Sequence, residues 1–416
     1  MNAGGIDFGT SNSSVGYLKS GEPTLLAFGE DGYSVPTAIF YSAESAEVYF
    51  GKQAVSQYTE EVEGRLLRSL KSILGSSLMG EKTAIRNRRV AFSDIIQDFF
   101  GFLRVTLASQ GQADMNQVVL GRPVHFVDDN PEMDRLAERQ LREIAEKSGF
   151  EHVEFQFEPV AAALTYESKL QDEQLALVVD IGGGTADFSI IRLSPERHRQ
   201  ADRTSDILST VGIHIGGTDF DRLLSLHSLM PLLGMGTLVK GTTRQLPNST
   251  YYDLATWHRI PLLYNNATEQ KIRQIQLDAA EADKVRLLGE VVSRKLGHAL
   301  ARKVEQSKIK LSASGISECL LQGLSRDLQT VISRDEFETA IGSVVERLSH
   351  CVSTALLDSQ IRPEAITRVF YTGGTSAVPL LRQQFGEMFP SAQHVQGDTF
   401  GSVGLGLTID AARRFA

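Results

Sequence analysis

Two stretches of this chain place an aspartate, glycines and a threonine in the same order, about 170 residues apart. The first is Gly5-Ile6-Asp7-Phe8-Gly9-Thr10-Ser11; the second is Asp180-Ile181-Gly182-Gly183-Gly184-Thr185-Ala186-Asp187. Turns without side chains let backbone N–H groups converge on an anion, and a threonine hydroxyl adds one more donor. Facing each other, the loops would hold a polyphosphate from both sides, through Gly9, Thr10 and Ser11 on one and Gly182, Gly183, Gly184 and Thr185 on the other. Asp7, Asp180 and Asp187 would then be free to hold a hydrated divalent cation. The chemistry implied is that of an ATP clamp.

The elements that must carry these loops are readable from the pattern around them. Leu175 to Val179 is a continuous apolar run ending in Asp180, as expected of a strand buried on both faces. Phe188 to Leu193 resumes a strand pattern, so the second loop is the tip of a hairpin. Val118 to Val124 predicts another strand, followed by a helix over Pro131 to Ser148 that Gly149 terminates. Arg286 to Leu311 keeps helical spacing throughout. Ser333-Arg334-Asp335-Glu336 is a capping box ahead of the apolar-periodic run Phe337 to Leu357. Val369 to Thr375 reads as a strand entering a glycine turn, with a short helix starting near Val378-Pro379. Alternating strands and helices argue for an α/β architecture, and the repeated loop argues for two similar halves. The segment from about Pro231 to Ala282 has no clear period and reads as an insertion.

Composition narrows the classes. A chain of 416 residues exceeds one ordinary domain. A net charge of −9 gives no reason to expect nucleic acid, and the basic stretches Arg86-Asn87-Arg88-Arg89 and Arg192 to Arg203 read as solvated loops. Cys319 and Cys351 have no metal-type spacing, which points to a reducing compartment and against zinc. No apolar stretch approaches the roughly 20 residues of a membrane span, and no room for a leader precedes the first loop. A cytoplasmic protein is expected. The near-match to a phosphate loop at Gly75 to Thr83 is read as chance, because Glu81 displaces Lys82 and no buried strand precedes it.

The two loops, with Phe157-Glu158-Pro159-Val160-Ala161-Ala162-Ala163 between them, resemble the ATPase domain of the seventy-kilodalton heat-shock chaperones of the DnaK type. That domain belongs to the actin and sugar-kinase superfamily. Gly216-Gly217-Thr218-Asp219-Phe220-Asp221, Glu305 to Ser312 and Gly373-Gly374-Thr375-Ser376-Ala377-Val378-Pro379 follow in the family's order. The resemblance implies an actin-like ATPase fold of two similar ribonuclease-H-like lobes with a nucleotide cleft between them. Lobe I would span 1–170, with an inserted subdomain at about 41–91 and completion by about 393–416. Lobe II would span 171–392, with an insertion at about 226–340.

The resemblance also implies roles. Asp7, Asp180 and Asp187 would hold Mg²⁺ through water, and Thr10 and Thr185 would bond phosphate oxygens, with Gly216 and Gly217 as a further phosphate loop. Lys71 matches the lysine that reaches the γ-phosphate and the attacking water; Glu158 matches the carboxylate beside the reaction centre, at a helix start. With Asp180 and Thr185 these form the catalytic set. Glu305, Lys308, Ser312, Gly373, Gly374, Thr375 and Asp398 match adenosine contacts. Two positions depart from the family: Ala377 replaces an adenine-stacking arginine and Ile309 replaces a basic residue, which would cost about 1 kcal/mol of cation–π attraction. Pro123 matches a proline proposed to relay nucleotide state. The expectation is an ATP/ADP-binding, slowly hydrolysing, chaperone-like switch without the peptide-binding β-sandwich, partnered by a co-chaperone or client and by neither nucleic acid nor membrane. The competing readings are a small-molecule kinase on the same fold and an actin-like filament protein.

Overall fold

The computed structural model describes residues 2–29, 32–60, 62–127, 130–396 and 401–415. The chain opens on β1 (Ala3–Phe8), β2 (Asn12–Lys19), β3 (Glu22–Leu25) and the short β4 (Val35–Pro36). A small antiparallel sheet follows, from β5 (Ala38–Ser42), β6 (Val48–Phe50) and β7 (Gly64–Arg68), with α1 (Gly51–Thr59) between the last two. Next come the hairpin β8 (Lys82–Ile85) and β9 (Arg88–Ala91), then α2 (Phe92–Ser109), β10 (Gln117–Arg122), α3 (Pro131–Lys147), β11 (His152–Phe157) and α4 (Glu158–Glu167). The main sheet of this part runs β11-β10-β1-β2-β3, parallel across β11, β10 and β1 and antiparallel beyond.

A second sheet begins with β12 (Gln174–Ile181), β13 (Ala186–Leu193) and β14 (Ile207–Ile213). The chain then makes a largely helical excursion through α5 (Gly217–Leu224), α6 (Ser249–Leu254), α7 (Asn266–Asp278), α8 (Ala282–Ser293), α9 (Gly297–Ala313), the hairpin β15 (Ile316–Leu321) and β16 (Leu328–Ser333), and α10 (Arg334–Ser359). It returns through β17 (Ile366–Thr372), α11 (Pro379–Met388), β18 (Gln393–Gln396) and α12 (Ser402–Arg414). The second sheet has the order β14-β13-β12-β17-β18, with β12, β17 and β18 parallel. By compactness, residues 1–214, 350–377 and 385–416 form one unit, and residues 215–349 with 378–384 form another.

Within the first unit, residue parity decides what each strand buries. Ile6, Phe8, Val118 and Leu120 face the core under α2 and α3, where Phe8 packs against the rings of Phe99 and Phe100. Ala3 and Val119 face the other way, onto α4 and α12. Helix α4 is wedged between the sheets: Ala161 joins the first core with Leu407, while Ala163 joins Val178, Ile191 and Phe370 of the second. Small residues make the wedge thin enough. A Cβ on Gly406 would overlap the Ala161 carbonyl, so α12 can cross α4 at that distance only with glycine there.

Several sequence expectations hold in detail. The α3 boundary falls one residue before Ser148, with Gly149 at φ +96°. The capping box before α10 is formed, with Glu336 accepting from Ser333 N–H at 2.7 Å and Ser333 Oγ accepting from Glu336 N–H at 3.2 Å. The uninterrupted helix expected over Arg286 to Leu311 is broken instead. Lys295 turns to φ +54°, and Tyr264 Oη both donates to the Lys295 carbonyl (2.9 Å) and accepts from Gly297 N–H (3.1 Å). A tertiary hydroxyl thus satisfies both groups freed by the break, and α8 and α9 become separate helices.

The Arg192 to Arg203 run is not a set of solvated charges either. Arg203 is 1% exposed and forms a bidentate pair with the fully buried Glu167 at 2.7 and 2.8 Å; it also donates to the buried Asp206, as does Arg197. No described helix is long and apolar enough to cross a membrane.

Candidate functional site

The two sequence-identified loops meet in the first unit. Asp7 closes β1 and Asp180 closes β12; Asp187 opens β13 directly across the hairpin from Asp180. Gly182 N–H bonds the Thr185 carbonyl at 2.9 Å and closes the second loop on itself. A Cβ on Gly183 would overlap Ser11 Oγ, so the loops approach side chain to backbone, and only glycine fits at their contact.

Two further residues hold this arrangement. Thr37 is buried and clamps the first loop: its hydroxyl donates to the Gly9 carbonyl (2.8 Å), bonds Ser13 Oγ (2.8 Å), and its N–H donates to the Ser11 carbonyl (2.9 Å). Thr375 does the same for the second loop, its hydroxyl donating to the Gly182 carbonyl at 3.0 Å. Gly373, at φ +74°, lies where a Cβ would come within 2.8 Å of Asp180 Oδ1, which explains the glycine turn after β17. Thr37 carries no sequence signal: a lone threonine after Pro36 has no spacing that marks it.

Lys71 sits in a short 3₁₀ turn, Leu70–Ile73, entered through Ser69 at φ +57°. That turn buries the lysine to 9% exposure and sets its Nζ 2.5 Å from Glu158 Oε1. Glu158 is the first residue of α4, where the helix dipole favours a carboxylate and Pro159 follows at little cost. Gly121 on β10 leaves room for it, since a Cβ there would crowd Glu158 Cγ at 3.2 Å.

The electrostatics of the group are one-sided. Burial pushes Asp7 up to about 7, with Glu158 adding to the push and Lys71 opposing it. Burial likewise holds Asp180 well above the usual carboxylate range, helped by Glu158, Asp187 and Asp7 and opposed by Lys71. Burial alone would lower the Lys71 ammonium, but Glu158, Asp7 and Asp180 together outweigh it and hold it above its ordinary value. Four carboxylates therefore surround one ammonium. Such a cluster gains from any further cation, and the residues fit a hydrated magnesium ion.

The remaining sequence-identified positions fall into separate sets. Gly373, Gly374 and Thr375 belong to the first unit. Gly216, Gly217, Glu305, Lys308 and Ser312 belong to the second. There Gly216 N–H donates to Asp219 at the start of α5, and Lys308 Nζ donates to the Gly217 carbonyl (3.0 Å) and pairs with Asp221 (2.9 Å). Glu305, Lys308 and Ser312 share one face of α9; Glu305 is exposed, Lys308 is buried, and Ser312 Oγ bonds back to the Lys308 carbonyl at 3.2 Å. Ile309 is 62% exposed, and Ala377 lies in the 3₁₀ turn Gly374–Ala377. Asp398 lies outside the described residues.

The Hsp70 protein family profile matches residues 93–232 and 278–412, on both sides of the segment that resisted reading. This chain belongs to the Hsp70 family. The fold is accordingly the actin-like ATPase fold, here as two sheets with α4 and α12 between them. The HscA homolog of Shewanella denitrificans, named as a chaperone protein, is 26% identical over 98% of this chain and 57% of its own length. Chaperone protein HscA of Proteus mirabilis is 25% identical over 98% and 58%. Chaperone protein DnaK of Thermotoga neapolitana is 25% identical over 98% and 59%. The chain thus spans just under three fifths of the length of these curated relatives.

Proposed function

We propose that this protein binds Mg²⁺·ATP between the Asp7–Ser11 and Asp180–Asp187 loops and hydrolyses it slowly, using nucleotide state as a conformational switch for a co-chaperone or client protein. The observation that carries this reading is the buried Lys71–Glu158 pair, which sits among the aspartates of two touching phosphate loops.

Each group has a task that suits its surroundings. Backbone N–H groups of Gly9 to Ser11 and Gly182 to Thr185 receive the phosphates, with the hydroxyls of Thr10 and Thr185 as added donors. Lys71 places a compact, permanently protonated ammonium where charge develops on the transferred phosphoryl group. Glu158, ionised by its pairing with Lys71, orients the attacking water and accepts its proton. Among the described residues no three acidic, histidine or cysteine groups are placed to bind a metal directly. A magnesium ion would therefore be held by Asp7, Asp180 and Asp187 through its water shell, where it would neutralise phosphate charge. Gly373, Gly374 and Thr375, with Glu305, Lys308, Ser312 and Asp398, are assigned to the adenosine moiety. Lys308 acts there by holding Asp221 and the Gly217 turn in place.

Calorimetry with Mg²⁺·ATP and single-turnover hydrolysis test the proposal. Wild type should bind and hydrolyse slowly. Lys71→Ala should bind within about tenfold of wild type yet lose hydrolysis by about 100-fold or more, the usual cost of removing a transition-state charge partner. Absence of nucleotide binding in wild type would overturn the reading.

A further inference from the structure

The charge of the molecule is unevenly distributed. Residues 63–91 carry seven lysines and arginines against two acids, whereas the rest of the chain carries 35 against 49. Lys71 in this stretch is buried with Glu158, but three others converge on two neighbouring residues of β8. Arg89 Nη2 donates to the Lys82 carbonyl at 3.1 Å, Arg65 Nη2 donates to Thr83 Oγ1 at 3.0 Å, and the Lys82 side chain is exposed beside them. Arg65, Lys82 and Arg89 make no ion pair among the described residues, although Glu63 and Glu81 are close in sequence. In a chain with nine more acids than bases, three like charges held together without a carboxylate are unfavourable as they stand.

The cluster is also preorganised. Ile85 is 1% exposed and anchors the hairpin in the first core, and Val90 packs on the same core. At the turn, Arg86 Nε donates to the Ser42 carbonyl (2.7 Å) and its Nη2 to the Glu47 carbonyl (2.9 Å), fastening the hairpin to β5 and β6. Ala84 and Arg89 are directly paired in register, as are Lys82 and Ala91, so Lys82 and Arg89 share the face opposite the Ile85 side. Exposed Leu78, in the turn leading into β8, adds an apolar contact next to the charges.

We propose that this face, centred on Arg65, Lys82 and Arg89, is a docking surface for an acidic segment of a partner protein. Paired guanidinium groups suit carboxylates bidentately, and several weak exposed contacts favour a multivalent chain over a single small anion. A nucleic acid fits poorly. Residues 63–91 contain no aromatic side chain on which a base could stack, and the acidic remainder of the molecule repels a long polyanion. The surface lies on the hairpin rather than in the nucleotide site, so its test does not depend on ATP hydrolysis.

Fluorescence anisotropy with a labelled peptide of alternating glutamate and leucine tests the assignment. Its glutamine counterpart and a single-stranded oligonucleotide serve as competitors, at low and physiological ionic strength. The glutamate peptide should bind at least about tenfold tighter than the glutamine form and weaken with salt. The exchange K82E/R89E, on exposed positions, should cost at least about tenfold, and R65E alone should cost less. Circular dichroism and an unchanged melting temperature would show that these variants fold. Equal binding by wild type and K82E/R89E would overturn the proposal. So would tighter binding of the oligonucleotide, which would make the face a nucleic-acid surface. Absence of peptide binding would also overturn it, and would reduce the charges to guards on an unpaired strand edge.

Discussion

Lys71 and Asp7 stand on opposite sides of one electrostatic balance, and their substitutions should move stability in opposite directions. Asp7, with its pKa raised to about 7 from 3.8, binds a proton in the folded state over a window where the unfolded chain does not. A carboxylate raised in this way makes the fold less stable above pH 7, and the penalty is relieved as pH falls from 7 toward 3.8. Asp180 is shifted in the same direction. Urea melts of nucleotide-free protein should therefore show a rise in stability between pH 8 and pH 5 from these groups, as estimated from linkage. Asp7→Asn should raise the midpoint at pH 8 and flatten the dependence, while abolishing Mg²⁺-dependent hydrolysis. Lys71→Ala should lower the midpoint at the same pH, because it leaves Glu158 and the aspartates without their counter-charge. Destabilisation by Asp7→Asn at pH 8 would show that the carboxylate is already compensated. A site that is strained when empty and relieved by a cation is the expected signature of function taking precedence over stability.

At the scale of elements, the wedge of α4 and α12 is the part least tolerant of added volume. Gly406→Ala places a methyl group on the Ala161 carbonyl, a backbone atom that cannot rotate away. The cost should be about 1–3 kcal/mol, read as a lower urea midpoint. Because α4 also carries Glu158, hydrolysis should fall with it; unchanged stability would mean that the helices can separate freely. The other end of α4 is fixed by Glu167, which accepts from Arg203 and from Ser194 N–H. Arg203→Met strands two buried carboxylates, Glu167 and Asp206, and should cost about 3–5 kcal/mol. Replacing Glu167 and Asp206 by Gln and Asn in the same chain should recover much of that loss, since buried ion pairs are costly to break rather than strongly stabilising. Failure to recover would indicate that the charges themselves stabilise the fold. Neither end of α4 could be found from the linear pattern. Its apolar spacing marks a helix, but its thinness matters only because two sheets and α12 press on it.

At the scale of the molecule, nucleotide binding should register as protection. Mg²⁺·ATP at about 100 times its dissociation constant should add about 2.7 kcal/mol of stability, and limited proteolysis should give different patterns with ATP, with ADP and without nucleotide. Pro123→Ala tests whether the turn after β10 takes part, because it should blunt the nucleotide dependence while leaving ATP affinity near wild type. An identical pattern in all nucleotide states would remove the switch from the proposal.

What the linear sequence by itself determined about this protein is the set of short-range rules. Glycine-threonine turns after apolar runs predict the loops at Asp7–Ser11 and Asp180–Asp187, and the structure forms both. The Ser333–Glu336 box and Gly149 marked helix ends within a residue, because capping depends on atoms a few positions apart. The two copies of the loop and the motifs after them carried the family. Tertiary structure decided everything that depends on a partner distant in sequence. Lys71 acquires its charge environment from Glu158, 87 positions later, and Thr37 clamps a loop whose residues show no pairing with it. The Tyr264 hydroxyl divides α8 from α9 against the helical period, and Arg203 enters the interior because Glu167 is there to receive it. Periodicity reports which face of an element is apolar; only the fold reports which charge or backbone atom will stand opposite it, and buried polar chemistry is set by that second fact.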